Sequence, residues 1–457
     1  MRVSLKHILL IVFVAFAQSL LLAQAPKNFK VLTYNMLNFP NSDNNNAFGN
    51  DANRASNFRQ IVDATDADVI LMQEITDISA GSILINELNS NSISGKTFAH
   101  SVYVGYGFPN AYLGNMLIYN TDKFTLLNTT EVSPNNIATA SNGNVQTAPR
   151  GSSRYLLEIE STDCAAAKAQ IYFYSLHLKG GDDNANSNEA ADRDRRLLGI
   201  EDLRDDLLTL PANANIVLGG DFNFYSPNNN GTSTSEPAYA NLTDNTYSNY
   251  FIDELGFWVR NSNSYQAKYT QSTRTAQSQF GNGGTTGGMD DRFDFIFYNQ
   301  NISNISNQIK YVNGSYENVA NVNVPANGNA LDGTSPLKTQ VHQNSDHFPV
   351  LVEMQAVFTQ IPACNGCSFS PSINNLPTVI SNTGLISLQG QPSGGTFSGP
   401  GMIANFFNPN LVGNGVFGIN YSFTDNTGCQ ADTTYYTIVL SIFENFGPTQ
   451  SPNTIEP

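Results

Sequence analysis

The chain has 457 residues, with 22 Lys and Arg against 38 Asp and Glu and a formal net charge of −16 at pH 7. That length is enough for two or three domains with full cores. An acidic balance of this size excludes a tight, sequence-independent grip on polyanions or anionic membranes by surface charge, although bound divalent cations reverse such a field locally.

Residues 1–25 read as a secretory signal peptide. Arg2, Lys6 and His7 make a polar start, Ile8 to Ala17 is apolar, and Ala23-Gln24-Ala25 supplies small residues for cleavage. Gln18 and Ser19 interrupt the apolar stretch, which argues against a membrane anchor. The expected protein is secreted, extracellular or at a bacterial cell surface, with no transmembrane segment after signal removal. Cys164 stands alone, whereas Cys364, Cys367 and Cys429 lie near the C-terminus. In an exported protein, a Cys364–Cys367 pair and a bridge from either to Cys429 both fit. No second ligand pair follows to make the C-x-x-C a zinc site.

Strand-like runs then recur at Phe29–Tyr34, Val69–Met72, Asn115–Tyr119, Tyr155–Ile159, Ile171–Leu176, Asn215–Leu218, Phe293–Tyr298 and Val350–Met354. Helical spacing appears over Arg54–Ala64 and over Asn188–Leu208, where Leu197, Ile200, Leu203 and Leu207 share one side and Pro211 stops the helix. Arg193, Arg195 and Arg196, interleaved with Asp192, Asp194 and Glu201, read as a solvated, salt-bridged face. Strands mixed with a few helices imply a layered α/β domain over residues 28–357. This domain holds most of the charge, since residues 26–356 carry 20 Lys and Arg against 34 Asp and Glu, and no Lys or Arg follows Lys338. A linker is expected over 358–368. Beyond it, Pro, Gly and Asn alternate with short β runs (Leu385–Leu388, Val416–Phe423, Thr434–Leu440), the pattern of a small all-β sandwich over 369–442. A disordered tail is expected over 443–457.

Several strand ends carry unusual polar groups. Asn35 follows Thr33-Tyr34, Gln73-Glu74 follows Val69 to Met72, and His177 follows Tyr172 to Leu176. Gly220-Asp221-Phe222-Asn223 ends the Ile216 strand, Asp294 sits inside Arg292 to Ile296, and Ser345-Asp346-His347 opens the final strand. Taken singly, each is an ordinary turn or helix-start residue. Together they are what hydrolysis of a phosphate ester requires. A hard cation needs oxygen ligands, here Asn35, Glu74 and Asp346. The attacking water needs a base and an orienting group, Asp221 with Asn223. The developing charge needs imidazoles, His347 and His177, and Asp294 could set the His347 tautomer from behind.

In order, Tyr34-Asn35, Leu71 to Glu74, Leu176-His177-Leu178, Gly220 to Asn223, Arg292 to Phe295 and Ser345 to His347 resemble the motifs of the endonuclease/exonuclease/phosphatase (DNase I-like) superfamily. The resemblance covers about Phe29 to Phe358. It implies a four-layer α/β/β/α sandwich with the site at one edge of two packed sheets. It also implies Asn35, Glu74 and Asp346 as metal ligands for Mg²⁺ or Mn²⁺, Asp221 as the water-activating aspartate, and Asn223 as its orienting partner that also contacts phosphate. His347 would be the catalytic histidine paired with Asp294, and His177 a further catalytic and phosphate-contacting group. The family's mid-domain arginine corresponds to Arg150 or Arg154. Leu218-Gly219 before the Gly-Asp and Gly287 to Arg292 depart from the inositol phosphatases. Phe257-Trp258, the one stretch that could serve as a sphingomyelinase membrane hairpin, reads as core. The implied activity is extracellular phosphodiester hydrolysis with DNA or RNA as the substrate; other readings are a sphingomyelinase, another phosphoesterase, or a non-catalytic adhesion protein. The C-terminal segment resembles immunoglobulin-like modules of secreted bacterial enzymes, which implies contact with a cell surface or polysaccharide. A monomer is expected.

Overall fold

A computed structural model of the chain describes residues 27–41, 50–105, 113–139, 143, 145–161, 168–181, 192–225, 236–276, 284–303, 308–358, 369–381, 384–425 and 430–440. The signal reading, all four cysteines, nearly all of the linker and the C-terminal tail lie outside the described residues. The chain divides between Thr359 and Gln360 into two compact units. Among the described residues no helix is long and apolar enough to cross a membrane.

The first unit runs β1 (Lys27–Phe39), α1 (Asp51–Thr65), β2 (Val69–Ile75), α2 (Ser79–Asn91), β3 (Phe98–His100), β4 (Gly114–Asn120), β5 (Phe124–Val132), β6 (Ile137–Thr139), β7 (Val145–Thr147), β8 (Ser152–Glu160) and β9 (Lys168–His177). It continues through α3 (Asp192–Leu207), β10 (Asn215–Asp221), α4 (Pro237–Thr243), β11 (Phe251–Ile252), β12 (Asp294–Asn299), β13 (Ile309–Tyr311), β14 (Glu317–Asn318), α5 (Lys338–Asn344) and β15 (Val350–Ala356). All eight expected strands are present, most of them extended at their ends. The expected Asn188–Leu208 helix is described from Asp192. Asn50 caps α1 by accepting from the backbone N–H groups of Ala52 and Asn53.

Two mixed sheets form, in the orders β13-β15-β1-β2-β4-β3, with β14 beside β15, and β11-β12-β10-β9-β8-β5. Each is built around one parallel pair, β1 with β2 and β9 with β10. Side chains alternate across these strands. On one face Leu32, Tyr34, Ile70 and Met72 pack with Phe58, Ile61 and Val62 of α1. On the other, Thr33, Leu71 and Gln73 meet the second sheet, where Gln73 Nε2 donates to Ser175 Oγ at 2.8 Å. A Cβ added to Gly219 would come within 2.7 Å of Leu71 Cδ1, so the sheets approach too closely there for a side chain. Gly220 is confined differently, since its Cβ would lie 2.1 Å from the Leu176 carbonyl oxygen on the neighbouring strand. The result is an α/β/β/α sandwich.

This arrangement decides where the site falls. The parallel strands β1, β2, β9 and β10 deliver their C-terminal ends to one edge. The antiparallel neighbours begin at that same edge, with Asp294 of β12 opposite Asp221 and Val350 of β15 opposite Thr33.

The second unit contains a four-stranded sheet, a three-stranded sheet and a strand pair, dominated by the long hairpin Gly415–Thr424 and Gln430–Leu440. Ile373, Ile380, Leu388, Phe397, Phe407, Ile419, Tyr421 and Val439 form its core.

Candidate active site

The expected strand-end residues converge. Asn35 Nδ2 donates at 3.0 Å to both Glu74 Oε1 and Asp221 Oδ2, joining carboxylates from different sheets. Its oxygen is turned away and accepts from the Leu37 backbone at 2.9 Å. His177 Nε2 stands 3.5 Å from Asp221 Oδ2 and 3.7 Å from Glu74 Oε1, while His347 Nε2 is 3.7 Å from Asp221 Oδ2. Asp294 Oδ2 and His347 Nδ1 lie 2.8 Å apart. Asn223 donates its backbone N–H to Asp221 Oδ1 and its side-chain amide to the Leu178 carbonyl.

Local backbone geometry supports these placements. Glu74 and Asn223 have φ values of 56° and 52°, in the left-handed region that costs a non-glycine residue roughly 1–3 kcal/mol at its least tolerant positions. Asn tolerates it, so residue 223 is chemically apt, whereas Glu74 is held there by its surroundings. The Asp346–His347 segment is tied to β1, because Ser345 Oγ donates to the Asn35 carbonyl at 2.7 Å and accepts from the His347 backbone at 3.1 Å. Arg54 of α1, fully buried, donates to the carbonyls of Met36, Leu37 and Asn344 and so joins the same two segments from behind.

Burial sets the electrostatics. It pushes the Asp221 carboxyl up to about 7, aided by Asp294 and Glu74 and opposed by His347 and Asn35. It raises Glu74 as well, together with the charge of Asp346. The His177 imidazole is held well below its ordinary value, first by burial and then by Arg150 and His347. For His347, burial is outweighed by Asp294, Asp346 and Asp221, which hold it well above its ordinary value. These groups line an open, polar cleft of about 530 Å³ with Arg150, Tyr225, Arg260, Gln271, Asp290 and Asp291.

The donor set fits a hard divalent cation. Ligand atoms of Glu74, His177 and Asp221 lie within 4.8 Å of one another, as do those of Asp221, Asp294 and His347. Asp346 Oδ1 is buried without a hydrogen-bond partner. Buried carboxylates with incomplete compensation are what an oxygen-seeking ion relieves.

The structure also separates residues that the sequence left equivalent. Arg150 lines the cleft and donates to the Leu178 carbonyl at 2.9 Å, whereas Arg154 pairs with Asp206 of α3 at 2.7 Å. Arg196 does not belong to a solvated face. It is buried, pairs with Glu236 at 2.9 Å and holds the Lys179 and Gly181 carbonyls beside the cleft. Charge alternation along α3 could not reveal which turn faces inward. Trp258 is fully buried as expected, but Phe257 remains 44% exposed. Gln271, Tyr225 and Arg260 carried no sequence signal because they come from irregular segments.

Solved structures with related chain paths include an endonuclease/exonuclease/phosphatase family protein from Bacteroides thetaiotaomicron, at 16% identity and TM-score 0.42, covering 73% of this chain and 99% of that one. D. rerio TDP2 complexed with a single-strand DNA product has 13% identity and TM-score 0.41, covering 72% of this chain and 99% of that one. A Bacteroides thetaiotaomicron mannosyl-6-phosphatase has 16% identity and TM-score 0.40, covering 71% and 99%. No curated protein sequence matches the chain. The profile of the Endonuclease/Exonuclease/phosphatase family matches residues 32–315, more than half of the sequence. The chain belongs to that family, whose members hydrolyse phosphoester bonds.

Proposed function

We propose that the protein is an exported, metal-dependent phosphodiesterase that hydrolyses DNA or RNA by attack of a water held at Asp221. The observation that carries this reading is the position of Asp221 Oδ2, reached by Asn35 at 3.0 Å, His177 at 3.5 Å and His347 at 3.7 Å on the wall of an open cleft. With its carboxyl raised to about 7, Asp221 takes a proton from water near neutral pH. Asn223, fixed by its bond to Asp221, orients that water and meets a phosphoryl oxygen. His347, backed by Asp294, presents positive charge to the developing phosphorane oxygens, and His177 donates from its neutral imidazole. Glu74 and Asp346 would hold Mg²⁺ or Mn²⁺, which would supply Lewis-acid polarisation of the phosphoryl oxygen. Asn35 would join them as a ligand only with its carboxamide turned oxygen-first from the orientation that bonds Glu74 and Asp221.

Arg150 on the cleft wall, together with Arg260, which pairs with Asp291 at 2.9 Å, supports an anionic, strand-like substrate. One observation favours a second reading: Asp290 and Asp291 line the same 530 Å³ cleft, which suits a compact, hydroxyl-bearing phosphate ester. The C-terminal unit, read as an Ig-like module, would contact a cell surface or polysaccharide and leave chemistry to the first unit, which would act as a monomer. Purified protein incubated with supercoiled plasmid, RNA, sphingomyelin, inositol phosphates and sugar phosphates tests both readings, with Mg²⁺ or Mn²⁺ and then with EDTA. Metal-dependent cleavage of nucleic acid is expected. Turnover confined to small esters transfers the assignment to the second reading, and no turnover by folded protein leaves a non-catalytic scaffold.

A further inference from the structure

Gln271 is buried, and its side chain reaches the two residues that open the final strand. Its amide nitrogen lies 2.6 Å from His347 Nε2 and 3.4 Å from Asp346 Oδ2. The backbone beneath it has little freedom. Gln271 forms isolated β-bridges with both Asp291 and His347, exchanging hydrogen bonds of 3.1 Å with Asp291 in each direction. Its neighbour Thr270 accepts through Oγ1 from the Asp294 backbone at 2.9 Å, and the Thr270 carbonyl accepts from Phe348 at 2.8 Å. The segment therefore threads between the strand that carries Asp294 and the segment that carries His347.

His347 is thus held at both ring nitrogens, by Asp294 at Nδ1 and by Gln271 at Nε2. A ring tied at one nitrogen can still swing; tied at both, it keeps Nε2 between Asp221 Oδ2 at 3.7 Å and Asp346 Oδ1 at 3.8 Å. An amide suits this place chemically. With its nitrogen forward it donates to a neutral imidazole, and with its oxygen forward it accepts from an imidazolium, so one side chain serves both forms. A carboxylate or an amine would serve only one.

We propose that Gln271 is a positioning residue for His347, completing an Asp294–His347–Gln271 relay that holds the imidazole aimed into the cleft until a phosphoryl oxygen takes the amide's place on Nε2. The role in turnover rests on the phosphoesterase reading above; the contact itself does not. Two measurements separate them. In metal-free protein, ¹⁵N NMR of the imidazole, assigned against His347→Ala, should show the Nε2 signal shifted and broadened by solvent exchange in Gln271→Met, with Nδ1 unmoved. With the substrate found to turn over, Gln271→Met should lower kcat by about ten- to a hundredfold while KM stays within about threefold, as expected for a misaimed catalytic group. Gln271→Asn, polar but one methylene too short to reach Nε2, should behave as Gln271→Met does and stands in for it if that variant fails to fold. An unmoved Nε2 signal overturns the contact. A moved signal with kcat within about twofold of wild type overturns the positioning role.

Discussion

Asp68 and Asp221 are equally buried, at 1% and 2% exposure, and lie at opposite ends of the sheets, yet their surroundings act on them in opposite directions. Asp68 precedes β2, and both of its oxygens are satisfied. The Lys30 backbone lies at 3.1 Å, Asn120 Nδ2 at 2.9 Å, Lys123 Nζ at 2.8 Å and Lys96 Nζ at 3.0 Å. Burial would raise its carboxyl, but the bonds from Lys123 and Asn120 prevail and hold it below its ordinary value. Asp221 ends β10 among Glu74, Asp294 and two imidazoles, and burial prevails there. The strand end without a compensating lysine is the end left ready for chemistry. Burial alone therefore does not decide which way an aspartate's carboxyl shifts; the partner set does.

The largest test of that contrast is turnover. Asp221→Asn and His347→Ala should each reduce kcat by about a thousandfold or more, with far-UV circular dichroism unchanged. Near-wild-type rates in both would refute the roles assigned to them. Asp68→Asn should do the reverse. It should lower unfolding free energy by roughly 3 kcal/mol, the scale for breaking a buried ion pair, and leave kcat within about twofold. A large fall in kcat with intact stability would show that Asp68 belongs to the site. Mn²⁺ should raise the melting temperature of wild type and Asp68→Asn but not of Glu74→Gln. At about a hundred times Kd the gain is roughly 2.7 kcal/mol, and an equal gain in Glu74→Gln would remove Glu74 from the ion's ligands.

The Asp221 side of this contrast was legible in the sequence, for a physical reason, whereas Asp68 gave no signal there. Short apolar runs that end in a polar residue, as at Val69 to Met72 and Ile216 to Leu218, mark both a strand buried on two faces and its exit, so Asn35, Glu74, His177 and Asp221 could be placed at strand ends before any fold was known. The antiparallel return of β12 and β15 then accounts for Asp294, Asp346 and His347. What stayed hidden depends on long-range contacts. Strand β5, with three Thr among its nine residues and a largely exposed pattern, has no apolar alternation to reveal it. Gln271 lies in a stretch without periodicity and becomes informative only when bridges to Asp291 and His347 fix its backbone. Arg150 and Arg154 differ because β8 begins at Ser152, which leaves one before the strand at the cleft and the other within it, facing α3.

The smallest expected effect is the sharpest test, because the two aspartates should give pH dependences of opposite sign. Asp68 has a lowered folded pKa, so its stabilisation is present above its unfolded pKa of about 4 and disappears as pH falls through the folded value. The gap between wild type and Asp68→Asn should therefore be flat from pH 5 to 8 and close only in acid. Asp221 has a folded pKa raised to about 7, so its protonated form favours the folded state, and that contribution is lost as pH rises from about 4 through 7. In EDTA, urea unfolding at pH 5 and pH 8 should show Asp221→Asn gaining on wild type by on the order of 1–2 kcal/mol as pH rises, a discount from the full linkage because Asp221 is coupled to its neighbours. If that gap does not move while Asp68 behaves as expected, the cluster is better compensated than its geometry indicates, and Asp221 is an ordinary ionised carboxylate at neutral pH, too weak a base for the part assigned to it.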